Sequence, residues 1–206
     1  MEKAMNESGW TELMASIGFA ANMETYQALL ASYSEKHRHY HNVSHIQAVL
    51  GHLQQSRHLA ADYHAIAIAL WFHDAVYKVF SATNELDSAD WAVKFLAENG
   101  ASQAFSERVH ALIMATVHDA APSDNDEKLM VDIDLSILGS SPQTYALFES
   151  GVRKEYKLVP DFIYKKKRKA ILSRFLERES IYSHEHFYQQ LEASARANIS
   201  KAIQNL

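Results

Sequence analysis

No cysteine occurs among the 206 residues. A disulfide scaffold, a thiolate metal site and a cysteine nucleophile are thereby excluded, and any metal has to be held by imidazole and carboxylate. Proline and glycine are scarce, at three and six residues, which favours long helices over a strand-rich fold with many turns. There is no run of roughly 18 apolar residues of the kind a membrane span needs. Residues 1–6 lead into no apolar signal-peptide core. The cytoplasm is the expected location, with no membrane partner. Basic residues do not dominate either: 20 Lys and Arg stand against 25 Asp and Glu, a net charge of −5. That balance makes no general electrostatic case for a nucleic-acid polymer.

What is present suffices for one substantial core, with 48% of residues hydrophobic, and a single domain over residues 1–206 is expected. Apolar residues recur mostly at helical spacing. The pattern predicts helices over 8–19, 22–38, 43–58, 62–75, 84–98, 102–118, 129–138, 142–156, 160–178 and 184–203. Asn84, Ser102 and Ser141 are candidate N-caps, Pro142 suits a first helical position, and Gly100 and Gly139 suit helix ends. The polar stretch 119–126 is the expected mobile loop. One segment carries two signals. Leu129, Val131, Ile133, Leu135 and Ile137 alternate with other residues as in a strand, whereas Val131, Leu135 and Leu138 form a helical stripe.

Twelve histidines are present, and their placement is the main chemical signal. His73-Asp74 ends the apolar run Ala69-Leu70-Trp71-Phe72. Imidazole and carboxylate groups are rarely buried without partners, so two adjacent ones in such surroundings point to a divalent cation. The side chains of neighbouring helical residues point about 100° apart. Both reach one ion only if the helix stops there. Upstream, Arg38-His39-Tyr40-His41-Asn42-Val43-Ser44-His45 places His41 and His45 four apart. His45 borders the stripe Ile46, Val49, Leu50 and Leu53, and by itself reads as a core histidine bonded to a carbonyl.

A histidine, then His-Asp, then a distant Asp in Asp132-Ile133-Asp134-Leu135 is the order of the HD superfamily of metal-dependent phosphohydrolases. The chain resembles that superfamily, and more closely a bacterial family described as predicted metal-dependent HD phosphohydrolases. Further matching blocks are Asn84-Glu85 with Ser88-Ala89, Ala115-Thr116-Val117-His118 and Arg153-Lys154-Glu155-Tyr156. The resemblance implies an all-α, single-domain HD-type helical bundle, and it decides segment 129–138 in favour of helix. It implies metal ligation by His45, His73, Asp74 and Asp134, with Asp134 and not Asp132 as the distal ligand. Two imidazoles and two carboxylates suit Mn, Fe, Co, Ni or Zn, and Mg is retained among the candidates.

The function implied is hydrolysis of a phosphomonoester or nucleotide-like small molecule by metal-bound hydroxide, and a homo-oligomer is compatible with it. Asp74, Glu85 and His118 are the catalytic candidates. Glu85 would orient water or protonate the leaving oxygen; its plainer role is a first-turn acid at a helix N-terminus. Arg38, His41 and Lys78 are substrate-binding candidates, Arg38 as a bidentate phosphate clamp. Lys78 stands one position later than the lysine of many such enzymes, where this chain has Tyr77. The alternative function is a metal-containing nucleotide sensor without turnover, and a purely structural metal site is a third reading. The basic run 165–169 points all round a helix and lacks interleaved aromatics, so a solvated face is expected there. Arg153, Glu155 and Tyr156 are expected to be packing or ion-pair residues.

Overall fold

The computed structural model describes residues 6–206. Among them the chain is all-α. It forms α1 (Glu7–Ser16), α2 (Met23–Tyr33), α3 (Val43–Gln55), α4 (Tyr63–Phe72), α5 (Asn84–Glu98), α6 (Gln103–Met114), α7 (Asn125–Asp134), α8 (Pro142–Glu155), α9 (Asp161–Glu177) and α10 (Glu185–Asn205). Single 3₁₀ turns cover Arg57–Leu59, Ala115–Val117 and Leu135–Gly139. The chain divides into two compact units, Met1–Val131 and Asp132–Leu206, with the division inside α7.

In the first unit α4 is the central helix. Every residue from Ala65 to Phe72 is buried, as expected of a helix apolar on all sides. Asp62 starts it by accepting from the Ala65 amide at 3.0 Å. Trp71 meets Trp10 of α1 edge to face, centroids 5.1 Å apart, a geometry that the ring quadrupoles favour. Trp10 donates its indole N–H to Ala21 O at 2.7 Å. On α5, Ala89, Ala92, Phe95 and Leu96 are buried, and Phe72 stacks on Phe95.

The start of α7 is tied to the start of α4. The buried Asp126 carboxylate accepts from the amides of Ala61 and Asp62, both at 2.8 Å. Arg108 of α6 holds Asp124 through both guanidinium nitrogens. That bidentate pair keeps the Asp124 carboxyl down at about 2, helped by amide bonds from Glu127 and Asp126.

In the second unit, the 3₁₀ turn Leu135–Gly139 packs on α10. Tyr182 donates to Leu135 O at 2.9 Å, and Asn198 donates to Leu138 O and Ser140 O at 2.9 Å each. Glu192 accepts from the Ile181 and Tyr182 amides and from Arg196. The run at 165–169 is solvated in part: Lys166, Lys167 and Lys169 are exposed, but Arg168 is largely buried and forks onto Glu149 at 3.1 and 2.6 Å. Arg153 ties down the end of α8 by donating to Tyr156 O and Val159 O.

All ten predicted helices are present, several with shorter ends. The pattern continued α2 to 38, α3 to 58, α4 to 75 and α6 to 118, whereas the helices stop at Tyr33, Gln55, Phe72 and Met114. Past Phe72 and Met114 the buried Ala75 and Thr116 keep the pattern running, whereas the residues that follow Tyr33 and Gln55 are mostly polar and exposed and contain no proline or glycine to mark a stop. Ser102 and Ser141 cap as expected, accepting from Phe105 N and Thr144 N, and Pro142 is the first residue of α8. Asn84 does not cap α5. Thr83 holds that position, and the Asn84 side chain instead bonds the amide and carbonyl of Lys78. Segment 129–138 is helix followed by a 3₁₀ turn. The strand-like alternation arises because Leu129, Met130, Val131, Asp132 and Ile133 are all buried, so no polar face marks the helical period.

Two expectations follow. Gly139 has no room for a side chain: a Cβ there would lie 2.5 Å from Leu191 Cβ and 2.8 Å from Leu191 O. Gly139→Ala should therefore destabilise the second unit by about 1–3 kcal/mol, read as a fall in its urea midpoint; an unchanged midpoint would contradict this packing. The Asp124 carboxyl resonance should titrate near 2, below its ordinary 3.8. A depressed folded-state pKa means that the Arg108 clamp stabilises above pH 3.8 and is lost as pH falls from there towards 2. Arg108→Gln should return the inflection towards the ordinary value, and an unshifted inflection in that variant would rule the clamp out as cause.

Candidate metal centre

The cluster of His45, His73 and Asp74 is built from two helix ends. Asn42 caps α3, its side chain accepting from the amides of Ser44 and His45 at 2.9 and 3.4 Å. This cap fixes where α3 begins and makes His45 its third residue, facing inward and buried. At the other side α4 ends at Phe72, with His73 as its C-cap and Asp74 in the turn that follows. The helix thus stops where the two neighbouring side chains have to converge.

They do converge. His45 Nε2 lies 3.2 Å from His73 Nε2. Asp74 Oδ2 lies 3.4 Å from the first nitrogen and 3.2 Å from the second. Adjacent ligands of an ion with bonds of about 2.1 Å are spaced about 3.0 Å in an octahedron and about 3.4 Å in a tetrahedron. The observed triangle falls in that window, and the three residues form a group that could hold a metal ion. Mixed nitrogen and oxygen donors suit a transition metal better than calcium.

Electrostatics prepare the carboxylate. Burial alone would push the Asp74 carboxyl up. The charges of His73 and His41 and the hydrogen bonds from His45 and His73 outweigh it and hold the group well below the usual carboxylate range. The orientation of His73 is set from behind, where its Nδ1 bonds Leu70 O at 3.0 Å. That bond turns Nε2 towards the cluster, an orientation common among metal-ligating histidines. His41 flanks the group. It stacks on Tyr77 with centroids 4.3 Å apart, and its ring lies 6.1 Å from that of His45.

The remaining candidates are placed differently. Arg38 is buried, and its guanidinium has another occupation than the phosphate clamp expected of it. It donates to Glu35, to His41 O, to Asp74 O and to Ala75 O. Lys78 is exposed and pairs with Asp87 at 3.6 Å, a surface contact of little energetic weight. Glu85 sits half-buried in the first turn of α5. His118 ends the 3₁₀ turn Ala115–Val117 in the left-handed conformation, φ 60°. Its neighbours Val117 and Asp119 line a cavity of about 290 Å³ to which none of the three clustered residues contributes. Asp134 is the last residue of α7 and belongs to the second unit, so the metal reading rests on the three donors that share the first.

Asp132 has a separate task within the second unit. Fully buried, it accepts from the amides of Ser183 and His184 at 2.8 and 2.7 Å and from His184 Nδ1 at 2.8 Å. It caps the approach to α10. Several contacts around the cluster had no sequence signal, among them Tyr33 OH to Trp71 O at 2.9 Å and Ser88 Oγ accepting from Val76 N at 3.0 Å. Compared with known protein families, curated proteins and solved structures, the chain matches none.

Asp132→Asn should leave metal uptake unchanged and loosen the start of α10 by about 0.5–2 kcal/mol. Faster hydrogen exchange at the Ser183 and His184 amides, with normal Co(II) binding, is the expected signature. Loss of Co(II) binding in this variant would give Asp132 the ligand role instead.

Proposed function

We propose that the protein is a metal-dependent phosphohydrolase of HD type, acting on a phosphomonoester or nucleotide-like small molecule. The observation that carries this reading is the His45, His73 and Asp74 triangle, built from a lone histidine on one helix and a His-Asp pair at the end of another. Its order in the chain is the one on which the family resemblance rests. A divalent ion held there supplies a Lewis acid for a phosphoryl oxygen and lowers the pKa of bound water towards neutrality.

The chain's own groups have separable tasks in this reading. His73 and Asp74 hold the ion from one helix end and His45 from the other. His41, stacked on Tyr77, is a donor beside the cluster for a substrate oxygen. Glu85 is the candidate for moving a proton to the leaving oxygen. It stands in the first turn of the helix whose Asn84 is bonded to the loop leaving Asp74. Asp87 competes for Lys78 at the same edge.

The test begins with the purified protein, stripped by chelator and reloaded singly with Mn, Co, Ni or Zn, and assayed on a panel of phosphomonoesters and nucleotides. Metal-dependent release of phosphate is expected. His73→Ala should lose both metal and activity. Glu85→Gln should keep the metal and slow turnover by roughly 10²–10⁴-fold. Failure of the wild type to take up any of these ions would sink the reading. A loaded protein that binds nucleotides without turning any over would replace it with the sensor reading.

A further inference from the structure

We propose that Arg38 is the positioning residue of the metal centre. Its buried guanidinium fixes the helix end that carries His45 against the helix end that carries His73 and Asp74. The inference rests on the metal reading of the same site.

The geometry is specific. Arg38 Nη1 donates to His41 O at 3.2 Å and to Asp74 O at 2.6 Å, and Nη2 donates to Ala75 O at 2.9 Å. His41 precedes Asn42, the residue that caps α3 and so places His45. Asp74 and Ala75 follow the C-cap of α4. One planar group thus bridges the backbone just before the first ligand to the backbone at and after the other two. Glu35 fixes the fork from the solvent side by accepting from Nε at 2.9 Å. The Tyr33 and Tyr77 rings flank it, with centroids 5.3 and 5.5 Å from Cζ, and the side chain is 1% exposed.

Buried carbonyls left without a donor are costly, and the turn at 74–75 has no helical amides to supply one. A guanidinium satisfies several acceptors in fixed directions, whereas an ammonium is a point donor on a flexible stem. The same donors cannot also form a bidentate grip on phosphate. Arg38 therefore acts on the ion through the backbone, by setting the relative position of the three ligands, and touches neither substrate nor metal.

Co(II) serves as the probe, because its visible absorption reports ligand geometry as well as binding. Full-length wild type, Arg38→Lys and Arg38→Ala are titrated with Co(II), and the helicity and melting of each metal-free protein are followed by circular dichroism. The expected result is that Arg38→Lys stays folded at the titration temperature. It should bind Co(II) roughly 10–100-fold more weakly, the size seen when partners that orient metal ligands are removed, with an altered absorption band. Millimolar guanidinium, far below the molar range in which it denatures, should restore the wild-type band to Arg38→Ala. If Arg38→Ala does not fold, Arg38→Lys decides alone on the same criteria.

Variants that bind Co(II) with wild-type affinity and spectrum overturn the proposal. So do variants whose binding falls only in proportion to their unfolded fraction, since that is a role in the fold alone. Wild type that takes up no Co(II) sinks the metal reading itself, and this inference with it.

Discussion

A helix that stops inside a protein leaves its last carbonyls without amides, and the His-Asp pair can work only where α4 stops. Everything around the candidate site answers that difficulty. The last four residues of α4 have their carbonyls taken in turn by the His73 amide, the His73 ring, the Tyr33 hydroxyl and the Ala75 amide. Beyond the helix, Asp74 O and Ala75 O go to Arg38, Val76 O to Ser88, Tyr77 O to His37 and Lys78 O to Asn84. Each such bond contributes only about 1 kcal/mol net, but each buried carbonyl left bare would cost about 1–3 kcal/mol. Together they give an irregular turn the rigidity of a regular element. α2, α5 and the loop before α3 are all committed to it.

The same arrangement settles the charge of the site. A helix C-terminus carries the negative end of its dipole, and Asp74 adds a full negative charge directly after it. A cation is favoured there on both counts. His73 Nδ1 is held by Leu70 O at 3.0 Å, and the Nε2 atoms of His45 and His73 face each other at 3.2 Å. Two imidazoles and a carboxylate packed this closely form a group that could hold a metal ion. As a structural ion pair alone the desolvation of these groups would be hard to recover.

The helices are legible in the apolar period, and the three residues that the fold brings together are legible in residue type and order together with the family resemblance. The pattern fails in two characteristic ways. Helix ends run too long at 72 and 114 because Ala75 and Thr116 beyond them remain buried, and at 33 and 55 because the exposed polar turns that follow hold no proline or glycine to mark a stop. The partners of the site were missed wherever they act on backbone. Nothing in the pattern around Tyr33 or Ser88 announces that its hydroxyl serves a carbonyl or an amide tens of residues away or across a loop. The charge of Arg38 suggests a phosphate clamp. Its burial and its fork over three carbonyls become visible only in three dimensions. Asn42 was readable in principle, since an Asn three residues before a buried histidine is a normal N-cap spacing.

The two aspartates of Asp132-Ile133-Asp134 show how far composition and contacts can diverge. Both precede an apolar residue, and no local rule separates them. Asp132 is the more deeply buried, which by itself would mark it as the functional one. Its oxygens are nevertheless occupied by two amides and an imidazole at the entry to α10, an arrangement that holds the chain and leaves little capacity for an ion. Burial of a carboxylate identifies a group with a demanding environment; the donors around it say whether that environment is structural or chemical. Asp132 is surrounded by donors of its own unit and reads as structural. Asp74 is faced by two imidazole nitrogens and no backbone amide cap, and that difference leaves its oxygens in a group that could hold a metal ion.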